Sequence, residues 1–470
     1  MSLSRRSFVA GSAAAAALGG CDQGYSLLSK RLSGGVPASF ARPDGASVDP
    51  DFFLLQRTSF GPAPGDLDRL RRAGRAAWLE EQLHPERIDD AACQVLVRRF
   101  ESLHFSPGAL FEFKREVAED ELGRATLLRA VHSRRQLYEV LVSFWTDHLN
   151  VFQGKGDCAW YKTAEDRDVV RAHALGKFRD LVRASALSPA MLVYLDGRSN
   201  RKGKPNENYA RELLELHTLG VHGGYTQQDV MEVARCLTGW DIQEGWGRGK
   251  VVFDPDRHDD GEKSVLGTRI PAGGGKEDLE RVLDLVCRHP STARHVAGKL
   301  CRRFVADEPP AALVDRVAAR FSATNGDLRE TVRETLRDLE PGPLRFKRPF
   351  HFMVSALRGL ACDTQGKRSL RRFLERMGQA PFQYPTPDGY PEDPEPWYGT
   401  LVWRWNFALA LARGEAPDAR PGLRDLAPEA VFAHLAGRSP SEEERGALAS
   451  ASSREEAVAL ALSSPAFQWY

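Results

Sequence analysis

The feature that most narrows what this chain can become is the period of its apolar residues. Between Asp66 and Gln82, Leu67, Leu70, Ala73, Ala77 and Leu79 recur near helical spacing. Thr126 to Asn150 continues the pattern with Leu127, Leu128, Val131, Leu137, Val140, Leu141, Phe144 and Trp145. Comparable stretches cover Ala172 to Leu187, Asn206 to Leu219, Thr226 to Thr238, Lys276 to Cys287, Thr292 to Val305, Leu328 to Leu339 and Ser369 to Met377. Strand-like alternation is scarce, the best case being Lys250 to Phe253 near Val265 to Ile270. The pattern predicts a mainly α, multi-helix globular fold with at most one small β-hairpin. Pro-rich breaks at Asp307 to Pro310 and Pro381 to Pro396 read as loops or joints. Pro440 to Tyr470 reads as two short helices.

The N-terminus reads differently. Ser4-Arg5-Arg6-Ser7-Phe8-Val9 is a paired-arginine signature, followed by a small, apolar run from Ala10 to Gly20. That run is shorter than the ~20 residues a membrane-spanning helix needs, so residues 1–20 are expected to be a twin-arginine signal peptide with Arg5 and Arg6 as the export signal. Leu18-Gly19-Gly20-Cys21 has the form of a lipobox, which makes Cys21 the expected lipidation site. Residues 21–48 are Gly-, Ser- and Pro-rich and read as a lipidated, flexible tether. The expected location is the cell envelope, membrane-anchored and facing the periplasm, with the choice of inner or outer membrane open.

Composition bounds the remainder. About 450 residues suffice for one large core or several subdomains, and we expect an N-terminal helical region over 49–310 and a C-terminal one over 311–470. Lys and Arg total 65 against 64 Asp and Glu, a net charge of +1, so no global field recruits nucleic acid. The cysteines after Cys21 are Cys93, Cys158, Cys236, Cys287, Cys301 and Cys362. With no C-x-x-C pair among them a thiolate zinc cluster is not expected, and buried free thiols are favoured over disulfides.

The densest polar block is Asn206 to His217. At about 100° per residue, Glu207, Arg211 and Glu215 share a helix face, flanked by Asn208 and Glu212, with His217 opposite. One reading is stacked ion pairs on a solvated face, each contributing about 0.2–0.5 kcal/mol. The other is a row lining a cleft, with Glu212, Glu215 and Arg211 catalytic alongside His148, and Asn206, Asn208, Glu207 and Asp147 binding substrate. Asp147 and His148 sit in Phe144-Trp145-Thr146-Asp147-His148-Leu149-Asn150, where the imidazole reaches either a pocket rim or the core. Phe253-Asp254-Pro255-Asp256-Arg257-His258-Asp259-Asp260-Gly261 could supply oxygen ligands to a cation, but it lacks the full calcium-loop spacing and an acidic surface turn is the favoured reading. His217, His258 and Asp254 are therefore speculative metal ligands, and a divalent metal is one candidate for an otherwise unknown cofactor. Glu215 and His217 point about 200° apart on a straight helix, which argues against one ion held by both. Gly273-Gly274-Gly275-Lys276 lacks phosphate-loop spacing. The aromatic and basic residues Lys347 to His351, Trp397, Trp403, Arg404 and Trp405 around the Pro-rich loop either grip sugar rings or fill a core.

Several of these blocks, in order, resemble a bacterial exported family catalogued as a domain of unknown function, number eighteen hundred. The matching motifs are Leu55-Gln56-Arg57-Thr58-Ser59-Phe60-Gly61-Pro62, Phe144 to Asn150, Asn206 to Gly220, Gly223-Gly224-Tyr225-Thr226, Leu237-Thr238-Gly239-Trp240 and Lys347-Arg348-Pro349. Gly378 to Phe382, Gly389-Tyr390-Pro391, Trp397 and Ser463 to Gln468 complete the match. Asp147 and Leu149 depart from it, an asparagine and an aromatic being commoner beside that histidine. The resemblance implies export and a helical fold but no established reaction. It also implies a sulfatase-like exported protein as a partner. Three functions follow as expectations: a hydrolase or lyase acting on an envelope or extracellular glycan, a metal- or redox-dependent exported enzyme, and a non-catalytic envelope assembly or binding protein.

Overall fold

The computed structural model describes residues 21–43 and 45–470. Arg5 and Arg6 lie outside them, as does the side chain of Cys21. The described chain is mainly α-helical, with three two-stranded antiparallel sheets and no larger one among the described residues. The strands differ from the single hairpin expected. Val251–Phe253 pairs with Trp240–Ile242, Lys263–Val265 with Thr268–Ile270, and Asp363–Thr364 with Ala419–Arg420. Lys250 to Phe253 therefore pairs backwards in the chain, not with Val265 to Ile270.

The helices end where local chemistry ends them. The periodic stretch from Asp66 divides at Gly74 (φ +80) into Asp66–Ala73 and Arg75–Leu83. Gly74 is in a backbone region that side chains disfavour, so the chain turns there despite continuous apolar spacing. Thr126 to Asn150 likewise belongs to two helices, Arg115–His132 and Gln136–His148. Asp49 starts Pro50–Thr58 by accepting hydrogen bonds from the amides of Asp51 (2.8 Å) and Phe52 (3.1 Å). Thr226 and Asp229 form a reciprocal capping box on Gln227–Cys236.

One contiguous core cluster runs from Phe52 to Phe467. The boundary expected near residue 310 does not divide it, and Ala311–Ala323 packs on Pro290–Phe304 across that point. Trp145 is at the centre of the cluster, fully buried, with its indole N–H donated to the Ala174 carbonyl at 3.0 Å. All six cysteines after Cys21 are buried and unpaired. The expected tether begins as a helix, Cys21–Ser33, instead of coil. Asp22 anchors it to the body through Arg99 (2.8 Å), Lys367 (3.0 Å) and Arg124 (3.3 Å).

The Pro-rich loop is fixed by a buried ion cluster. Glu392 pairs with Arg345 (3.0 Å), Arg303 (3.2 Å) and Arg348 (3.4 Å), and Arg348 reaches Asp147 at 2.8 Å. Arg345 continues the tie to the end of the chain, exchanging backbone hydrogen bonds with Tyr470 at 2.8 and 2.9 Å. Burial alone would raise the Glu392 carboxyl; the three guanidinium groups outweigh it and hold the group well below the usual carboxylate range.

Glu392→Gln leaves these cations facing a neutral amide, and we expect it to lower the unfolding free energy by about 3 kcal/mol. The measurement is the urea midpoint at constant slope. A carboxyl depressed in the folded state stabilises fully above its unfolded pKa of about 4.3. The gap between wild type and variant should therefore be widest near neutrality and narrow as pH falls through that range.

Candidate functional site

Two elements and one loop build the site. Asn208–Glu212 is α-helical, but Leu213–Thr218 widens into a π-helix. The Thr218 hydroxyl donates to the Leu213 carbonyl at 2.5 Å, five residues back, closing the wider turn. This widening breaks the expected row of Glu207, Arg211 and Glu215. Glu207 and Arg211 do pair at 3.0 Å, bridged by Gln227, which donates to Glu207 (2.7 Å) and accepts from Arg211 (2.9 Å). Glu215 instead accepts from the Tyr225 hydroxyl at 3.3 Å. π-Turns inside helices recur at functional sites because they re-aim side chains without ending the helix.

The asparagines sit at the start of the helix. The Asn206 side chain accepts from the Asn208 amide (2.9 Å) and donates to the Ser199 hydroxyl (2.8 Å). Asn208 donates to Asp196 at 3.2 Å. Together with the Glu207 carboxylate, these polar atoms hold the start of the helix in place.

Glu212 is the exception in this block. Its carboxyl is half-buried and takes no hydrogen bond from any described residue. Burial, then Glu215 and Asp388, push its pKa up against the opposing charge of Arg211. Asp388 arrives on the Pro-rich loop, which is pinned from several sides. Asn150 donates to the carbonyls of Tyr384 (3.0 Å) and Thr386 (2.7 Å), and the Tyr194 hydroxyl donates to that of Pro385 (2.8 Å). Gly389 (φ +75) lies so close to the Asp147 carbonyl that a Cβ there would be 2.2 Å from the oxygen, so only glycine lets the loop close onto the helix end.

Behind the carboxylates lies a set of imidazoles around Lys299. His148 is fully buried; its Nε2 lies 3.0 Å from the His217 carbonyl and so must donate, leaving Nδ1 to accept from Lys299 Nζ at 3.0 Å. Its ring is 6.2 Å from that of His217 and 6.1 Å from that of His295. Burial, reinforced by Lys299 and the neighbouring histidines, keeps His148 neutral, well below its ordinary pKa. Burial likewise lowers His217 to about 3 and His295 to about 4. Neither ring nitrogen of His217 has a hydrogen-bond partner among the described residues. Lys299 is lowered to about 8 by burial, opposed by Glu392, Asp147 and Asp388. Asp147 is raised by burial and spends its charge on Arg348 at 2.8 Å. It belongs to the framework and not to a substrate-binding face.

The arrangement therefore holds a carboxyl pushed up and an amine pushed down to about 8, each within reach of the charge on Asp388. That is the pattern of a site that moves protons. The sequence reading placed Glu212, Glu215, Arg211 and His148 here. It missed Lys299, His295, Asp388, Tyr194 and Tyr225, which reach the site from distant helices and loops and carry no local pattern.

The metal reading is corrected by position. His217 is in this imidazole set, whereas His258 is buried elsewhere between the Thr238 carbonyl (2.9 Å) and Asp278 (3.3 Å). Asp254 caps a 3-10 turn by accepting from the Asp256 amide at 3.0 Å. Among the described residues, no three His, Cys, Asp or Glu side chains are grouped to hold a metal ion. The aromatic and basic residues around the loop resolve into core: Lys347, Arg348, His351, Trp397 and Arg404 are buried. Trp403 is half-buried beneath Arg376, and of these tryptophans Trp405 alone is exposed.

An amine lowered to about 8 should react with an acylating reagent with a midpoint about two pH units below that of surface lysines, near 10.4. Mass-spectrometric mapping of Lys299 modification against pH checks this; a midpoint matching the other lysines would contradict it. No curated protein and no solved structure matches the chain. One family model does, over residues 53–469, under the description protein of unknown function (DUF1800).

Proposed function

The chain belongs to the DUF1800 family of proteins of unknown function, and for it we propose an exported, membrane-anchored lipoprotein that cleaves an envelope or extracellular glycan by acid–base catalysis, with Glu212 as proton donor. The observation that carries the chemistry is the Glu212 carboxyl: half-buried, free of hydrogen bonds, and raised by burial and by Glu215 and Asp388. Glycosidic cleavage needs one carboxyl kept protonated near a second that is ionised, because the leaving oxygen must receive a proton as its bond breaks. Glu215 and Asp388 are the second carboxyls whose charge reaches it. Tyr225 orients Glu215, and Lys299 offers a cation or a base according to pH.

Anchoring is supported by the paired arginines, by Cys21 and by the helix that begins there. Cys21–Ser33 buries Ser26 and Ser29 against the body while turning Leu27, Leu28 and Leu32 outward. This inverts the usual burial order, since leucine gains most from leaving water. The outward leucines lie beside Arg31, the combination that suits a helix resting on an anionic membrane surface. With Asp22 held to the body, the anchor keeps the domain close to the bilayer instead of lifting it on a long tether.

Glu212→Gln should keep the wild-type melting temperature and lower kcat by about 10²-fold or more on the glycan that is turned over. Substrate is found by incubating purified protein with peptidoglycan sacculi and with neutral and acidic polysaccharides. Reducing ends report a hydrolase, and an unsaturated product reports a lyase. Since the acid must be protonated, wild-type activity should fall as pH rises through the raised pKa of Glu212. Full turnover in the variant would remove Glu212 from the chemistry.

A further inference from the structure

A second feature stands apart from the carboxylate–lysine site. The hairpin formed by Trp240–Ile242 and Val251–Phe253 carries Trp246 at its tip, 98% exposed. Among the large apolar side chains of the described residues, none is more exposed. Exposure of a tryptophan forfeits a large burial gain, so what holds it out matters.

The tip is a built structure. Gln243 donates to the Trp246 carbonyl at 2.8 Å, and the amides of Arg248, Gly249 and Lys250 close the turn onto Gly245, Gln243 and Gly247, each at 3.1 Å. The turn is also seated on a neighbouring segment. A Cβ on Gly108 would lie 2.0 Å from the Arg248 carbonyl oxygen, and one on Gly249 2.8 Å from the Gly108 amide, so the two backbones touch. The Arg248 guanidinium lies 3.4 Å above the Phe111 ring, which in turn stacks on Trp160 at 4.9 Å and 18°.

Between the tip and this segment opens a cleft of about 700 Å³, within the range that holds small organic ligands. Glu112 and Asp157 line it, and their carboxylates accept no hydrogen bond from the described residues. Arg198 lines it too, braced by Asp241 at 2.9 Å and Glu244 at 2.8 Å.

We propose that this cleft is a glycan-binding subsite, in which Trp246 stacks on the apolar face of a pyranose ring while Glu112 and Asp157 accept hydrogen bonds from its hydroxyls. The proposal rests on the glycan reading above and names the surface that would hold the chain outside the reacting centre. The chemistry selects among occupants. A sugar offers a flat C–H face to an indole and many hydroxyl donors to free carboxylates. A nucleic acid would set its phosphates against Glu112 and Asp157. A lipid surface would desolvate those two carboxylates without supplying donors.

The test uses tryptophan fluorescence of the full chain, titrated with chitohexaose, with cellohexaose and with lysozyme-solubilised peptidoglycan. The expected result is a saturable emission change with at least one probe, abolished in Trp246→Ala and weakened at least tenfold in Glu112→Gln, with melting temperature unchanged in both. Glu212→Gln should bind as wild type does. No saturable change with any probe overturns the subsite, as does a change that survives Trp246→Ala. Vesicles of phosphatidylethanolamine and phosphatidylglycerol are titrated in parallel; a Trp246-dependent shift with vesicles and none with the glycans also overturns it. The two ideas fail separately. Binding that persists while Glu212→Gln retains full turnover keeps the subsite and removes the acid, whereas Glu212-dependent turnover without Trp246-dependent binding does the reverse.

Discussion

The structure depends on a single, largely buried carboxylate, Glu392, and the guanidinium groups that close around it. Ion pairs out of water give little net stability when compared with apolar packing, but they punish any arrangement that leaves one partner alone. Here that penalty is used for placement. Arg303 comes from the helix Pro290–Phe304, Arg345 from the segment paired with the last residues, and Arg348 from the start of Pro349–Gly359. None can leave without stranding a charge. The loop carrying Glu392 is thereby fixed in register, and Asp388, four residues earlier, is delivered to Glu212 and Lys299.

Apolar period was a good guide to where helices lie and a poor one to what happens inside them. It found the stretches from Lys276 to Cys287 and from Ser369 to Met377 to within a residue or so of the observed Glu277–Cys287 and Arg368–Arg376. It ran Thr126 to Asn150 together because Ser133 to Arg135 interrupts the chain without a proline or glycine to mark it. It could not see the π-turn at Leu213–Thr218, since a widened turn preserves apolar residues at nearly the same positions and differs only in backbone bonding. The strand errors have another source. Pairs of three residues are set by the turns between them, and Gly245, Gly247 and Gly249, all at positive φ, belong to the 240–253 hairpin rather than to a later one.

The candidate site was legible in part. Glu212 lies in a polar block in which two asparagines start the helix and Glu207 with Arg211 bracket Gln227. Lys299 gave no signal, because a lysine inside an amphipathic stretch looks like any solvated residue until the fold closes over it. What makes it chemically distinct is the imidazole of His148 on one side and the acids on the other, contributed by segments about 150 positions upstream and 90 downstream. The tryptophans named for an aromatic sugar grip divide between core and surface. Trp397 fills the core and Trp405 is exposed, whereas Trp246, which no sequence motif singled out, is more exposed than either.

The six buried thiols have a consequence for how the protein meets its surroundings. Burial pushes Cys158, Cys236, Cys287 and Cys301 to about 12, and Cys93 and Cys362 upward as well, so almost no thiolate exists near neutral pH. A fold without cross-links and without reactive sulfur among these cysteines has the same covalent skeleton in a reducing compartment as in an oxidising one. For these six cysteines, a change from one to the other leaves nothing to form or reshuffle.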